Sequence, residues 1–224
     1  MIHIFDVDDT IMKNTSTWYF LMDAIKEGVI HFPQVSRLPF DWIKYKLGRP
    51  DMDFIENTVS RLSGLKKSDL ERIAATCFEH RIKPRLYTGA VQLIRELQSK
   101  GERVIFATSS IDIVIQPLEN FLGIEKSMAT ELEFQNGIST GRLVGASYFS
   151  KKKKTAAQIW LEQNGFNPSD IFFYSDSYVD IPLLEYCGNP VAVNPDRRLK
   201  REAKKRGWKI KCFKELLGEG TSFA

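Results

Sequence analysis

The chain opens on a short apolar run that stops on acid. Ile2, Ile4 and Phe5 are β-branched or aromatic and give way abruptly to Asp6-Val7-Asp8-Asp9-Thr10, a pattern that predicts a buried strand and then an acidic turn. From there to about residue 85 the texture is helical. Asn14, Thr15 and Ser16 are cap candidates ahead of Trp18, Leu21, Met22 and Ile25, which recur at three-to-four spacing. Phe40, Ile43 and Leu47 form a second stripe closed by Gly48-Arg49-Pro50, and Phe54, Val59 and Leu62 a third. Leu70, Ile73, Ala74 and Phe78 form a fourth, with Ser68 as the expected N-cap and Glu71 at the capping-box position. Helices with no strand among them predict a small bundle inserted after the first strand. Its Trp and Phe residues read as core, and its charged faces as solvated surface.

After Pro84 strands return. Thr88 to Leu97 reads as a helix closed by Gly101, and Arg103 to Ala107 as a strand that runs into Thr108-Ser109-Ser110. A helix over Ile113 to Leu122 follows. Asn136-Gly137 between two alternating runs predicts a hairpin. Lys154 to Asn164 is helical, and Ile171 to Tyr174 is a strand that breaks into Ser175-Asp176-Ser177-Tyr178-Val179-Asp180. The strand Val191-Ala192-Val193, a basic helix around Leu199 and Ala203, and Trp208-Lys209-Ile210 complete the pattern. Such alternation predicts an α/β fold, a doubly wound parallel sheet with a helical insert. The expected division is a core of residues 1–13 and 86–224 with an insert over 14–85.

With 224 residues, 43% of them hydrophobic and 27% charged, the chain can bury a full core and reads as a soluble globular protein. No stretch approaches eighteen apolar residues, so no membrane span is expected. No secretory leader is visible, and Cys77, Cys187 and Cys212 lack metal-ligand spacing, which predicts reduced thiols and a cytoplasmic protein. A net charge of +4 does not call for nucleic acid, but it suits an anionic substrate.

Three carboxylates in four positions repel one another unless a positive group sits among them. A divalent, oxygen-seeking cation such as Mg²⁺ is one remedy, and a solvated acidic turn capping a helix is the plainer alternative. Position favours a site. In doubly wound sheets ligands gather outside the carboxyl ends of the strands. Asp6 and Asp8, then Thr108, then Asp176 and Asp180 all fall at such ends. No phosphate-binding P-loop and no G-x-G-x-x-G is present, and His3, His31 and His80 are scattered and read as structural.

These residues resemble the haloacid dehalogenase superfamily, in particular its phosphoserine-phosphatase-like branch. Asp6-Val7-Asp8-Asp9-Thr10 matches the family's D-x-D-x-T. Thr108 resembles its strand-terminal Thr or Ser, and Lys151-Lys152-Lys153-Lys154 contains its helix-start lysine. Asp176 and Asp180 resemble its closing acidic pair. Spacing to Gly165 favours Lys153, with Lys152 and Lys154 as fallbacks.

The resemblance implies a Rossmann-like core with a helical cap over the site. It further implies a Mg²⁺-dependent phosphatase that acts on a small-molecule phosphate ester. Asp6 would be the nucleophile that forms an aspartyl-phosphate, and Asp8 the acid and base. Thr108 and Lys153 would bind the phosphoryl group. Asp6, the Asp8 carbonyl and Asp176 would hold the metal, with Asp180 behind them. Thr15 stands where true phosphoserine phosphatases carry a substrate-holding Glu. Phosphoserine is therefore demoted, and histidinol phosphate and lipid-derived phosphates come forward by analogy. A phosphotransferase or phosphomutase on the same scaffold, and a non-enzymatic binder of anions through the basic segments, are the competing readings. The sequence assigns no oligomeric state.

Overall fold

The computed structural model describes residues 1–30, 54–125, 127–145 and 150–219, with the side chains of residues 54, 55 and 150–152 left outside the description. The second apolar stripe of the insert, Phe40 to Leu47, and His31 lie outside these residues. In chain order the elements are β1 (Ile2–Phe5), α1 (Ser16–Lys26), α2 (Phe54–Ser60), α3 (Lys67–Cys77), α4 (Thr88–Ser99), β2 (Arg103–Ile111), α5 (Asp112–Leu122) and β3 (Met128–Thr130). There follow β4 (Leu132–Gln135), β5 (Ile138–Leu143), α6 (Ser150–Gln163), β6 (Ile171–Ser175), α7 (Ile181–Tyr186), β7 (Asn189–Val193), α8 (Arg197–Arg206) and β8 (Lys209–Lys211).

Six strands form one sheet in the order β3-β2-β1-β6-β7-β8, and every pairing in it is parallel. The N-terminal strand is central. Phe5 lies opposite Phe106 on one side and Tyr174 on the other. Side chains alternate across the sheet as a period of two requires. Phe5, Phe106, Tyr174 and Val191 enter the core that packs against α1, α3, α4 and α5. Ile2, Ile4, Ile105, Phe173 and Ala192 enter a second core, with Ala157 and Leu161 of α6, Leu183 and Leu184 of α7, and Leu199 and Ala203 of α8. Each fully buried Ile or Phe contributes roughly 1.5–3 kcal/mol. Apolar burial on both faces explains why these strands read as continuous apolar runs.

The chain leaves the sheet after Met12 and comes back at Arg85 through one short ribbon. The Lys13 amide donates to the Arg85 carbonyl at 2.9 Å, and the Tyr87 amide to the Ile11 carbonyl at 2.9 Å. A C-terminal segment adds a third chain to this ribbon. The Thr88 amide donates to Glu215, and the Leu217 amide to Leu86, each at 2.9 Å. The β4–β5 hairpin turns at Asn136 (φ 51°) and Gly137 (φ 77°), the two left-handed residues that such a turn needs. It also fastens the segment between α2 and α3: the amides of Gly64 and Lys67 donate to the carbonyls of Ser139 and Gly137, each at 2.8 Å.

Four local expectations need correction. Helix α3 starts at Lys67 with Lys66 at the cap position and no side-chain cap, so Ser68 lies inside the first turn. The α2 stripe closes at Ser60, ahead of Leu62. Helix α6 starts four residues before Lys154. Strand β2 continues through Thr108 to Ile111, because it pairs with the short β3 that sequence periodicity missed. Three residues are too few to display a period.

Candidate active site

The site lies at the carboxyl end of the sheet, where β1, β2, β6 and β7 stop. The Asp6 amide still belongs to the sheet, donating to the Tyr174 carbonyl at 2.8 Å. Beyond it the chain turns tightly. The amides of Thr10, Ile11 and Met12 all point to the Val7 carbonyl, at 3.3, 2.9 and 3.2 Å. Asp9 adopts φ 55°, and its carboxylate accepts the Asn14 amide at 2.8 Å. This coil holds Asp6 and Asp8 at the end of β1 while Val7, Ile11 and Met12 are fully buried beneath.

Lys153 lies between two carboxylates. Its Nζ is 2.8 Å from Asp6 Oδ1 and 2.8 Å from Asp180 Oδ2, and all three side chains are buried. Asp180 Oδ2 also accepts the Ser175 hydroxyl at 2.8 Å. Burial pushes the Asp6 carboxyl up to about 7, with the Lys153 ammonium opposing that shift and Asp180 adding to it. Burial alone would lower Lys153. Asp180 and Asp6 override it and hold the ammonium above its ordinary range, so it stays charged.

Asp8 has different surroundings. Its Oδ1 accepts the Ser16 amide at 2.8 Å, at the start of α1, and its Oδ2 accepts the Ser110 hydroxyl at 3.0 Å. Ser16 and Ser110 share a hydrogen bond of 2.8 Å, and the Thr17 hydroxyl donates to Ser110 at 3.2 Å. Burial raises the Asp8 carboxyl, and the bonds from Ser16 and Ser110 act against that rise. A raised carboxyl pKa favours the protonated form that an acid needs.

Thr108 lies two residues past Phe106 on β2, beside the turn after Asp6; it is buried, and its hydroxyl accepts the Ser110 amide at 3.1 Å. Asp176 follows β6 directly, and Thr10 Oγ1 donates to its Oδ1 at 3.3 Å. Six residues singled out in the sequence thus converge from three neighbouring strand ends and the start of α6. His3 instead packs in the interior against Phe172, with ring centroids 4.5 Å apart, and His80 is exposed on the insert.

Asp6, Asp176 and the Asp8 carbonyl offer only hard oxygen donors, with no thiol or imidazole. Among the described residues no three His, Cys, Asp or Glu side chains converge into a cage. The hard oxygen donors are of the kind Mg²⁺ takes, which is held by one or two carboxylates and keeps its remaining positions for water and phosphate.

Sequence reasoning missed Ser16, Ser110 and Ser175 as members of the site. Ser110 had a signal, as the third hydroxyl in Thr108-Ser109-Ser110. Ser16 read only as a cap candidate, and nothing local set Ser175 apart.

A model of the haloacid dehalogenase-like hydrolases matches residues 4–185. The chain belongs to the haloacid dehalogenase-like hydrolases. It is 32% identical to the inhibition of morphological differentiation protein of Streptomyces azureus, over 93% of this chain and 77% of that one. It is 29% identical to the histidinol-phosphatase of Neisseria meningitidis, over 94% and 98%. Among solved structures, a protein of unknown function from Bordetella pertussis superposes with a TM-score of 0.83 at 27% identity, covering 94% of this chain and 97% of that one. A phospho-aspartyl intermediate analogue of phosphoserine phosphatase superposes at 0.68 and 21% identity, covering 96% and 93%, and so shares this haloacid dehalogenase fold. Among the described residues no helix is long and apolar enough to cross a membrane.

Proposed function

We propose that the chain is a Mg²⁺-dependent phosphatase that hydrolyses a small-molecule phosphomonoester through an aspartyl-phosphate on Asp6. The observation that carries this reading is the different environment of two acids two residues apart. Asp6 is paired with a buried ammonium, whereas Asp8 is held by hydroxyl and amide donors.

Asp6 Oδ attacks phosphorus as the ester P–O bond breaks, and Asp8 gives its proton to the departing alkoxide. Asp8 then takes a proton from the water that attacks the aspartyl-phosphate, which releases phosphate and restores Asp6. Lys153 and Thr108 would hold the phosphoryl oxygens, and Asp180 keeps Lys153 in place. Asp6, Asp176 and the Asp8 carbonyl would hold Mg²⁺, which neutralises charge between an anionic nucleophile and an anionic substrate.

Residues 14–85 are read as a cap over the 1–13 and 86–224 core, and its approach would exclude water from the first step. Thr15 sits on the cap side, where a phosphoserine phosphatase would need an acid for the substrate's ammonium. Histidinol phosphate is favoured for the first test by the Neisseria relative, with lipid-derived phosphates beside it. Cys77, Cys187 and Cys212 are free thiols, which suits a cytoplasmic setting.

The test is phosphate release from a panel of phosphomonoesters, with and without Mg²⁺, for the wild type and Asp6→Asn. Metal-dependent turnover that disappears in the variant is the expected result. Equal release by both proteins would remove Asp6 as nucleophile. Transfer to an added alcohol in place of water would favour the phosphotransferase reading.

A further inference from the structure

The loop that carries Asp176 is fastened from the next strand end. After β7 the chain passes through Asn194 (φ 44°) and Pro195 to Asp196, whose polar groups all point to backbone. Asp196 Oδ1 accepts the amides of Arg198 and Leu199 at 2.7 and 2.8 Å, capping α8. Asp196 Oδ2 accepts the Tyr178 amide at 2.8 Å, and the Asp196 amide donates to the Asp176 carbonyl at 2.8 Å. Capping α8 requires only Oδ1. The other two bonds leave the helix and grip the backbone on either side of Ser177. The amides that follow Asp176 are thereby all engaged: Ser177 to the Ser175 hydroxyl at 3.2 Å, Tyr178 to Asp196, and Val179 to the Ser177 hydroxyl at 3.3 Å.

We propose that Asp196 is a positioning residue for the cation site: by holding residues 176 to 178 at two points it fixes the direction of the Asp176 carboxylate. The inference rests on the reading above, in which Asp176 contributes to holding Mg²⁺. A carboxylate on an unanchored loop must be ordered when the cation binds, whereas a carboxylate whose backbone is clamped beforehand avoids that entropy. Partners one step behind a ligand are commonly worth 10–100-fold in metal affinity.

Two variants separate this role from the helix cap. Asp196→Ser keeps a hydroxyl for the first amides of α8 but cannot also reach Tyr178. Tyr178→Pro removes the donor and leaves the cap intact. Proline suits the position, because Tyr178 opens a short 3-10 turn and Ser177 before it is extended (φ −105°, ψ 135°). Mg²⁺ affinity of the full chain is measured by titration calorimetry without substrate. The wild type, Asp176→Asn, Asp196→Ser, Tyr178→Pro and Tyr178→Ala are compared, and the melting temperature of each is recorded.

We expect Asp196→Ser and Tyr178→Pro each to weaken Mg²⁺ about tenfold, Tyr178→Ala to leave affinity unchanged, and Asp176→Asn to abolish binding. If Asp176→Asn loses the metal while Asp196→Ser and Tyr178→Pro keep it, Asp196 is only a helix cap and the inference falls. Weakening in Tyr178→Pro with wild-type affinity in Asp196→Ser overturns it as well. If Asp196→Ser does not fold, Tyr178→Pro against Tyr178→Ala decides alone. If the wild type binds no Mg²⁺, or Asp176→Asn binds it normally, the cation reading fails and the inference goes with it.

Discussion

The Ser110 hydroxyl donates to Asp8 Oδ2 at 3.0 Å, across 102 residues of sequence. Together with the Ser16 amide it fixes both oxygens of the proposed acid. Removing this bond should matter most where the leaving group needs a proton. Ser110→Ala is expected to slow hydrolysis of alkyl phosphates roughly tenfold, in line with one hydrogen bond to a charged group. Hydrolysis of p-nitrophenyl phosphate, whose leaving anion is stable unprotonated, should change little, and Ser110→Thr should restore the alkyl rate. Steady-state rates with the two ester classes check this, and an equal loss on both would assign Ser110 a purely structural part.

Lys153 neutralises two buried carboxylates, so its loss should be felt in stability as well as activity. Removing one partner of a buried ionic group typically costs about 3–5 kcal/mol. Lys153→Met is expected to lower unfolding free energy by an amount of that order. Adding Asp180→Asn should recover part of it, because one of the stranded charges is gone. Urea unfolding of the wild type, both single variants and the double variant gives the coupling directly. Strictly additive losses would contradict the ion-pair account.

His3 sets an acid limit on stability. Its Nδ1 lies 3.0 Å from the Tyr174 hydroxyl and its ring stacks on Phe172. Burial holds its pKa below the usual 6.5, with the N-terminal ammonium lowering it further and Glu102 opposing both. The unfolded chain therefore takes up this proton at a higher pH than the folded one. Stability from His3 is full above about pH 6.5 and falls as pH drops through that value. His3→Phe keeps the stack and has no proton to bind. The difference in urea midpoint between wild type and variant should shift against the wild type from pH 8 to pH 5.5. A constant difference would mean that His3 titrates alike in both states.

The acidic groups at Asp6, Asp8, Asp176 and Asp180 were legible because the chemistry forces them to the ends of strands, and those strands carry unbroken apolar runs. Lys153 could be chosen among four lysines only by spacing to Gly165; in the structure it lies buried between Asp6 and Asp180. The serines were not legible in the same way. Ser16 and Ser110 acquire their role from a meeting of α1 with the end of β2, and no local pattern encodes that distance. Ser175 is hidden for a similar reason, since its partner Asp180 lies across a turn. Asp196 was not legible either, because its bond to the Tyr178 amide reaches a loop eighteen residues earlier. Strand β3 and the third chain of the ribbon around Lys13 and Leu86 were missed because their pairing partners, and not their own composition, make them extended.

The central place of β1 has a consequence for how the molecule comes into being. The strand pairs on one side with residues 103–106 and on the other with residues 171–174. At synthesis rates of about 5–20 residues per second, its second edge waits on the order of ten to thirty seconds for a partner. A nascent chain that has passed Lys153 but not Asp180 holds only one of the two carboxylates that share the ammonium. The buried ion-pair cluster is therefore complete only once Asp180 has followed Asp6 and Lys153 in synthesis.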